Sequence, residues 1–149
     1  MERVKFESHT ISNIKLQLVW ITKKGYKILK EDIAERVREI IRSVCRRNKV
    51  EILNGEIEAH YIKLYISIPA TLAPDKLIRY FKTETSRKLQ REFFQLYHRY
   101  YGKSIWNYGY LCSSSGEISQ EAVKKYIESY TNYANNDNFY IAGERQLQD

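Results

Sequence analysis

Cysteine, proline and glycine are scarce in this chain of 149 residues, which contains two, two and six of them respectively. The two cysteines, Cys45 and Cys112, form no Cys-x-x-Cys pair, which argues against a zinc knuckle or a disulfide framework. No apolar run reaches the roughly eighteen residues that would indicate a membrane span. The N-terminal segment is charged and lacks the apolar centre of a signal peptide. We therefore expect a soluble, cytoplasmic protein.

The sequence also lacks the common motifs of several enzyme classes. It contains no glycine-rich phosphate loop, no serine nucleophile elbow and no zinc-finger spacing. The chain contains 25 Lys and Arg but only 18 Asp and Glu, so its net charge is +7. An excess of positive charge favours a polyanionic partner, and nucleic acid is the most common one.

The pattern of apolar residues predicts one domain at residues 1–134 and a polar C-terminal tail at 135–149. Alternating and β-branched runs indicate strands, and apolar residues three and four apart indicate helices. The predicted elements are a strand at 13–22, a helix at 31–48, strands at 50–58 and 60–68, a helix starting at 74, a strand at 106–113 and a helix at 119–130. This order predicts an α+β fold, namely a ferredoxin-like split βαβ antiparallel sheet (βαββαβ) with an additional C-terminal helix.

The strand at 60–68 divides its side chains between two faces, because successive residues of a strand point in opposite directions. Ile62, Leu64 and Ile66 are predicted to lie on one face. Tyr61 and Lys63 are predicted to lie together on the other.

Several stretches resemble the single-tyrosine transposases of the HUH superfamily, encoded by bacterial and archaeal insertion sequences. They are LVWITKKGYKIL (18–29), IAERVREIIRSV (33–44), LYISIPATLAPDKLIRYFK (64–82), TSRKL (85–89), WNYGYLCSSSG (106–116) and KKYIESY (124–130). The resemblance implies a ferredoxin-like domain that forms a homodimer and binds DNA hairpins or single-stranded DNA. It also implies cleavage of one strand through a phosphotyrosine linkage.

The catalytic positions of that family are only partly retained. The resemblance places the nucleophile at Tyr126, whereas the family uses a divalent metal such as Mg²⁺, held by two histidines and a glutamine. Those three positions are occupied here by Tyr61, Lys63 and Tyr130. We expect no metal or other cofactor, and we expect Tyr126 to occupy the catalytic nucleophile position without efficient cleavage.

Two alternatives remain open for the region in which the family binds its metal. A shifted metal site could use His60 with Glu56 and Glu58 of the neighbouring strand, although one histidine is weak evidence for three ligands. Lys63 could instead hold a DNA phosphate through its charge and its N–H donors. The competing interpretation is that Lys63 is an ordinary exposed strand lysine.

Thirteen tyrosines are present, and many lie beside basic residues. Aromatic rings among Lys and Arg bind unpaired bases and phosphates. The predicted nucleic-acid contacts are Tyr61, Lys63, Arg87, Arg99, Tyr100, Lys103 and Tyr108. We therefore expect a transposase-like DNA-binding protein that is catalytically inactive. The alternative is an active tyrosine transposase that nicks and rejoins single-stranded DNA.

Overall fold

The computed structural model describes residues 5–7, 10–12, 14–114 and 116–135, with side chains from 14 to 114 and from 116 to 129. Its main feature is an antiparallel sheet of β3 (Ile14–Ile21), β4 (Glu51–Glu58), β5 (Tyr61–Ile68) and β6 (Leu111–Ser113). The strand order is β4-β5-β3-β6. Each helical connection therefore joins two strands that have another strand between them, which is the split βαβ arrangement. A separate hairpin, β1 (Lys5–Glu7) and β2 (Thr10–Ser12), was not predicted.

Four α-helices lie within the described part of the chain: α1 (Glu31–Arg47), α2 (Pro74–Glu92), α3 (Phe94–Tyr100) and α4 (Gln120–Asn135). Pro74 stands in the first turn of α2, where its missing N–H costs nothing. Ser119 caps α4, because its Oγ accepts a hydrogen bond from the Ala122 backbone N–H at 3.1 Å. The predicted α+β class with an antiparallel sheet is confirmed. Helix α3 was not predicted.

The two faces of the sheet carry different amounts of apolar packing. On one face, α1, α2 and α3 enclose the main core, where the Trp20 and Phe81 rings stack at 5.3 Å. On the other face, α4 covers a smaller cluster that includes Val19, Ile21 and Val123. The predicted alternation of β5 is confirmed, since Ile62 belongs to the main core and Tyr61 to the smaller cluster. The smaller cluster is the setting of the functional positions.

The predicted strand at 106–113 is wrong in its first half. Only Leu111–Ser113 pair with β3, and Trp106 forms an isolated bridge to Thr22. Between them Gly109 has φ +91°, which an extended strand does not use. The loop at 107–109 is also held from α2, because the Lys82 ammonium donates hydrogen bonds to the carbonyls of Asn107 and Gly109 at 2.9 and 2.7 Å.

Helix α4 extends five residues beyond the predicted end at 130 and so reaches the first residue of the predicted tail. The rest of that tail, residues 136–149, lies outside the described residues. No helix within the described part of the chain combines the length and apolarity that crossing a bilayer requires.

Candidate functional site

The functional positions lie on the face of the sheet that α4 covers. Tyr61 and Lys63 are both buried there, although each carries a polar end group. Lys63 pairs across the sheet with Val19 of β3, and Val19 belongs to the cluster against which Tyr126 packs. Tyr61, Lys63 and Tyr126 therefore lie on the same side of the sheet.

The Tyr61 hydroxyl is already engaged by neighbouring polar groups. It donates to Glu56 Oε1 at 3.2 Å and lies 3.1 Å from Gln120 Oε1. The amide nitrogen of Gln120 also lies 3.4 Å from Glu56 Oε1. Burial and the nearby Glu56 carboxylate raise the pKa of Tyr61. Because its neutral phenol is favoured and hydrogen-bonded, Tyr61 is poorly suited to bind a cation.

Lys63 is not the exposed strand lysine of the competing interpretation, because only 7% of the residue is exposed. Its Nζ lies 3.5 Å from Oε1 of Glu117, whose side chain is 76% exposed. A cavity of about 30 Å³ adjoins the ammonium and is lined by Gln17, Asn54 and Glu117 among others. A cavity of this size holds about one water molecule. A phosphate group would therefore require Glu117 to move aside.

Gln17 organises the segment that carries Glu117. Its side chain is buried in β3, and its Oε1 accepts a hydrogen bond from the backbone N–H of Ile118. This contact attaches the start of the α4 region to the centre of the sheet. Gln17 and Glu117 were missed by the sequence interpretation, although a glutamine inside the apolar run LQLVW of β3 was a usable signal.

Tyr126 is half-buried on α4 and packs against the smaller apolar cluster. Its hydroxyl lies beside the loop at 107–109, since a Cβ added to Gly109 would stand 3.9 Å from Tyr126 Oη. Lys82 holds that loop, and burial lowers the pKa of the Lys82 ammonium. The setting of Tyr126 is thus defined by α4, β3 and a loop anchored from α2.

The residues at the family's metal-ligand positions do not fit a divalent cation. An ammonium at Lys63 brings its own positive charge and has no lone pair to offer while protonated. Tyr61 is a hydrogen-bonded phenol with a raised pKa, and the Tyr130 side chain lies outside the described residues. Over the described ranges, no three His, Cys, Asp or Glu side chains are grouped as a metal site requires.

His60 does not supply the shifted metal site. It is half-buried, its ring meets Tyr61 edge-on at 5.1 Å, and burial followed by the charge of Lys27 lowers its pKa. The grouping of His60 with Glu56 and Glu58 is not formed among the described residues. His60 is therefore a packing neighbour of Tyr61 in this structure.

The predicted nucleic-acid residues of the basic, aromatic segment have different surroundings. Arg87, Lys103 and Tyr108 are exposed. Arg99 is also exposed, with its guanidinium carbon 3.8 Å from the centre of the Tyr26 ring. Tyr100 and Tyr61 are each only 5% exposed, in the main core and the smaller cluster respectively, so the predicted contacts of these two rings with nucleic acid are corrected. The buried face of α3 is set by its packing against the main core, which the residue pattern of 93–101 does not reveal.

Sequence comparison identifies relatives over most of the chain. Residues 10–130 match the family model described as Transposase IS200 like. The ISDra2 transposase TnpA of Deinococcus radiodurans is 23% identical over 119 residues, covering 80% of this chain and 85% of the relative. The transposase for insertion sequence element IS200 of Salmonella typhimurium is 26% identical over 124 residues, covering 81% and 82%.

Solved structures share the fold. A crystal structure of a Deinococcus radiodurans protein assigned as a transposase superposes with a TM-score of 0.75 at 21% identity, over 84% of this chain and 96% of that one. A REP-associated tyrosine transposase, solved bound to a REP hairpin, gives a TM-score of 0.50 at 14% identity, over 88% and 73%. Both likenesses concern the arrangement of helices and strands.

Proposed function

The chain belongs to the IS200-like transposase family, and on that premise we propose that it binds hairpin or single-stranded DNA without cutting it by the family's metal-assisted chemistry. The observation that carries this proposal is the buried Lys63 ammonium at a family metal-ligand position. The ammonium supplies positive charge and N–H donors at the position where the family is expected to hold a metal cation. Its charge and its N–H donors both favour binding of a phosphate.

The Lys63 ammonium can exchange its weak ion pair with Glu117 for a stronger interaction with a DNA phosphate. Its contact with Glu117 is 3.5 Å long, and the Glu117 side chain is mostly in water. A carboxylate in that position contributes little to stability and can swing outward at low cost. A DNA phosphate would then take its place in the enlarged pocket and form a charge-assisted hydrogen bond with Lys63.

Cleavage through Tyr126 is expected to be very slow. An ordinary tyrosine hydroxyl is almost wholly protonated at neutral pH, and its attack on a phosphodiester needs strong stabilisation of the developing charge. In metal-dependent enzymes the divalent ion stabilises the transition state by roughly several kcal/mol. A single ammonium replaces only part of it, so we expect a rate lower by several orders of magnitude.

DNA is the partner that the remaining observations favour. The net charge of +7 attracts a polyanion, and a structural neighbour of the same fold is described as bound to a REP hairpin. Exposed cations at Arg87, Arg99 and Lys103 provide further backbone contacts. We also propose a homodimer, with the edge strand β4 as the surface for pairing of the two sheets.

The alternative function is an active tyrosine transposase. It is favoured by the retained Tyr126 and by relatives that are named transposases. It requires that Lys63, or groups outside the described residues, stabilise the transition state without the family's ligand set.

Equilibrium binding to a labelled DNA hairpin with a single-stranded flank tests the proposed function. We expect affinity to fall steeply as salt is raised, because each neutralised phosphate releases counterions. The matched control is the same titration with a flexible anionic polymer such as polyglutamate, which offers charge without bases. Absence of salt-dependent DNA binding, or equal binding of both polyanions, would contradict the proposal.

A further inference from the structure

We propose that the groove between α2 and α3 binds the single-stranded segment that continues from the hairpin, by stacking its bases and holding its phosphates. This proposal rests on the proposed function and names where the unpaired DNA lies. The groove has a volume of about 520 Å³ and is lined by Lys82, Arg87, Gln90, Arg91, Tyr97 and Ser104 among others. The residues that line it include three cations and no carboxylate.

The floor of the groove is a pre-formed polar network. Gln90 donates from Nε2 to Ser86 Oγ at 3.1 Å and to the Lys103 carbonyl at 2.6 Å. Its Oε1 accepts the Gly102 backbone N–H at 2.7 Å. Because these bonds fix the loop at 102–105 to α2, the groove keeps its shape without a ligand, which lowers the entropic cost of binding.

The charge of α2 is divided between its two sides. Glu84 and Glu92 form salt bridges with Arg47 and Arg36 of α1, on the side away from the groove. Arg87 and Arg91, one helical turn apart, line the groove instead. Among the described residues, neither of these two guanidinium groups is placed in a salt bridge. Arg87 is therefore available to phosphates, and Arg91 has only a longer-range electrostatic interaction with Glu92.

An aromatic patch extends from the groove along α3 and consists of Phe94, Tyr97, His98 and Tyr101. Phe94, Tyr97 and Tyr101 are 76%, 51% and 68% exposed, and Tyr97 belongs to both the patch and the groove. Exposed ring faces of this extent mark an interaction surface. Bases in a duplex are hidden by their neighbours, whereas unpaired bases stack on aromatic side chains. The segment 93–116 contains no acidic residue, so the partner that fits is single-stranded nucleic acid.

One side chain links the groove to the tyrosine site. Lys82 lines the groove, and its ammonium holds the 107–109 loop against which the Tyr126 hydroxyl lies. A strand that leaves the Tyr126 position across this loop would therefore enter the groove. This continuity favours a DNA strand over an unrelated anionic ligand.

The test is fluorescence anisotropy with a labelled hairpin, with and without a flank of twelve thymidines, at several salt concentrations. We expect the flank to raise the affinity of the wild-type protein. The double variant Arg87→Ala/Arg91→Ala should lose most of that gain. Its slope of log affinity against log salt concentration should be lower by about 1.4, the value for two single-strand phosphate contacts. Tyr97→Ala should weaken binding of the flanked hairpin by about 5- to 150-fold, whereas Tyr97→Phe should restore it, since stacking needs only the ring.

The matched control is Arg42→Ala/Arg46→Ala, which removes the same charge at the same spacing from exposed positions of α1. If the wild-type protein binds neither hairpin, the proposed function fails together with this inference. If it binds but the flank gives no gain, or the groove variants behave like the α1 control, only the groove assignment is overturned. A change in molar mass of Tyr97→Ala in light scattering would identify the patch as a contact between chains and would also overturn it.

Discussion

Replacing Lys63 by Met separates a phosphate-binding role from a structural one. The substitution keeps the long side chain and removes the charge at a position that is 7% exposed. Its partner Glu117 remains in water with a 76% exposed side chain. The penalty of roughly 3–5 kcal/mol for orphaning a buried charge therefore does not apply. Losing an ion pair with an exposed partner costs about 0.2–1 kcal/mol. Methionine also removes the desolvation cost of a buried ammonium, which offsets this loss. We therefore expect the free energy of unfolding to change by at most about 1 kcal/mol.

DNA binding should respond much more strongly than stability. A hydrogen bond to a charged group contributes about 1.5–3 kcal/mol, which corresponds to a loss of affinity of roughly 10- to 150-fold. The salt slope should fall by about 0.7–0.9, the value for one phosphate contact. Urea unfolding and anisotropy titrations measure the two effects, with Lys76→Met, an exposed lysine of α2, as the charge-matched control.

Two outcomes would refute this reasoning. A destabilisation above about 3 kcal/mol would show that the ammonium is a structural partner whose removal leaves another group unsatisfied. Unchanged stability combined with the affinity of the Lys76→Met control would show that Lys63 does not contact phosphate.

Glu117, Tyr100, the two cysteines and the edge strand β4 each allow one further test. Glu117→Gln should raise DNA affinity in anisotropy titrations, because it removes the carboxylate that competes for Lys63; lowered affinity would contradict this. Tyr100→Phe should stabilise the protein by about 1 kcal/mol in urea unfolding, since the buried Tyr100 hydroxyl has no hydrogen-bond partner among the described residues; a loss of stability would reveal a missed partner. Iodoacetamide at pH 8 should label the exposed Cys112 well before Cys45, because burial raises the pKa of Cys45 to about 12; mass spectrometry of digested protein checks the order, and equal labelling would contradict it. Light scattering should give a dimer of the 17.8 kDa chain, and a clean monomer at tens of micromolar would count against pairing through β4.

Strong periodic signals in the sequence were sufficient for most of the fold. The alternation of β5 assigned Ile62 and Tyr61 to opposite faces, and Pro74 and Ser119 identified the starts of two helices. These signals are local, because each depends on the period of the backbone or on capping of a helix end. Local signals of this kind can be read without knowing which distant residues a strand or helix packs against.

The parts that the sequence did not predict depend on contacts between distant residues. The composition of the 107–109 loop resembled that of a strand. The loop leaves the sheet because the Lys82 ammonium of α2 donates hydrogen bonds to its carbonyl groups. The burial of Tyr100 likewise depends on how the short α3 packs against the main core. At the candidate site, the resemblance supplied Tyr61, Lys63 and Tyr126, whereas the role of Glu117 emerged only from its distance to the ammonium.

A covalent adduct assay tests the central claim, that this family member binds DNA without the metal-assisted cleavage. Single-stranded DNA carrying a hairpin is incubated with the protein and Mg²⁺ or Mn²⁺ for hours and then resolved on a denaturing gel. We expect no adduct from the wild-type protein, DNA affinity of Tyr126→Phe equal to that of the parent, and a metal-dependent adduct from Tyr61→His/Lys63→His/Tyr130→Gln, which restores the family's ligand types. A wild-type adduct that disappears in Tyr126→Phe would contradict the account and establish the active transposase.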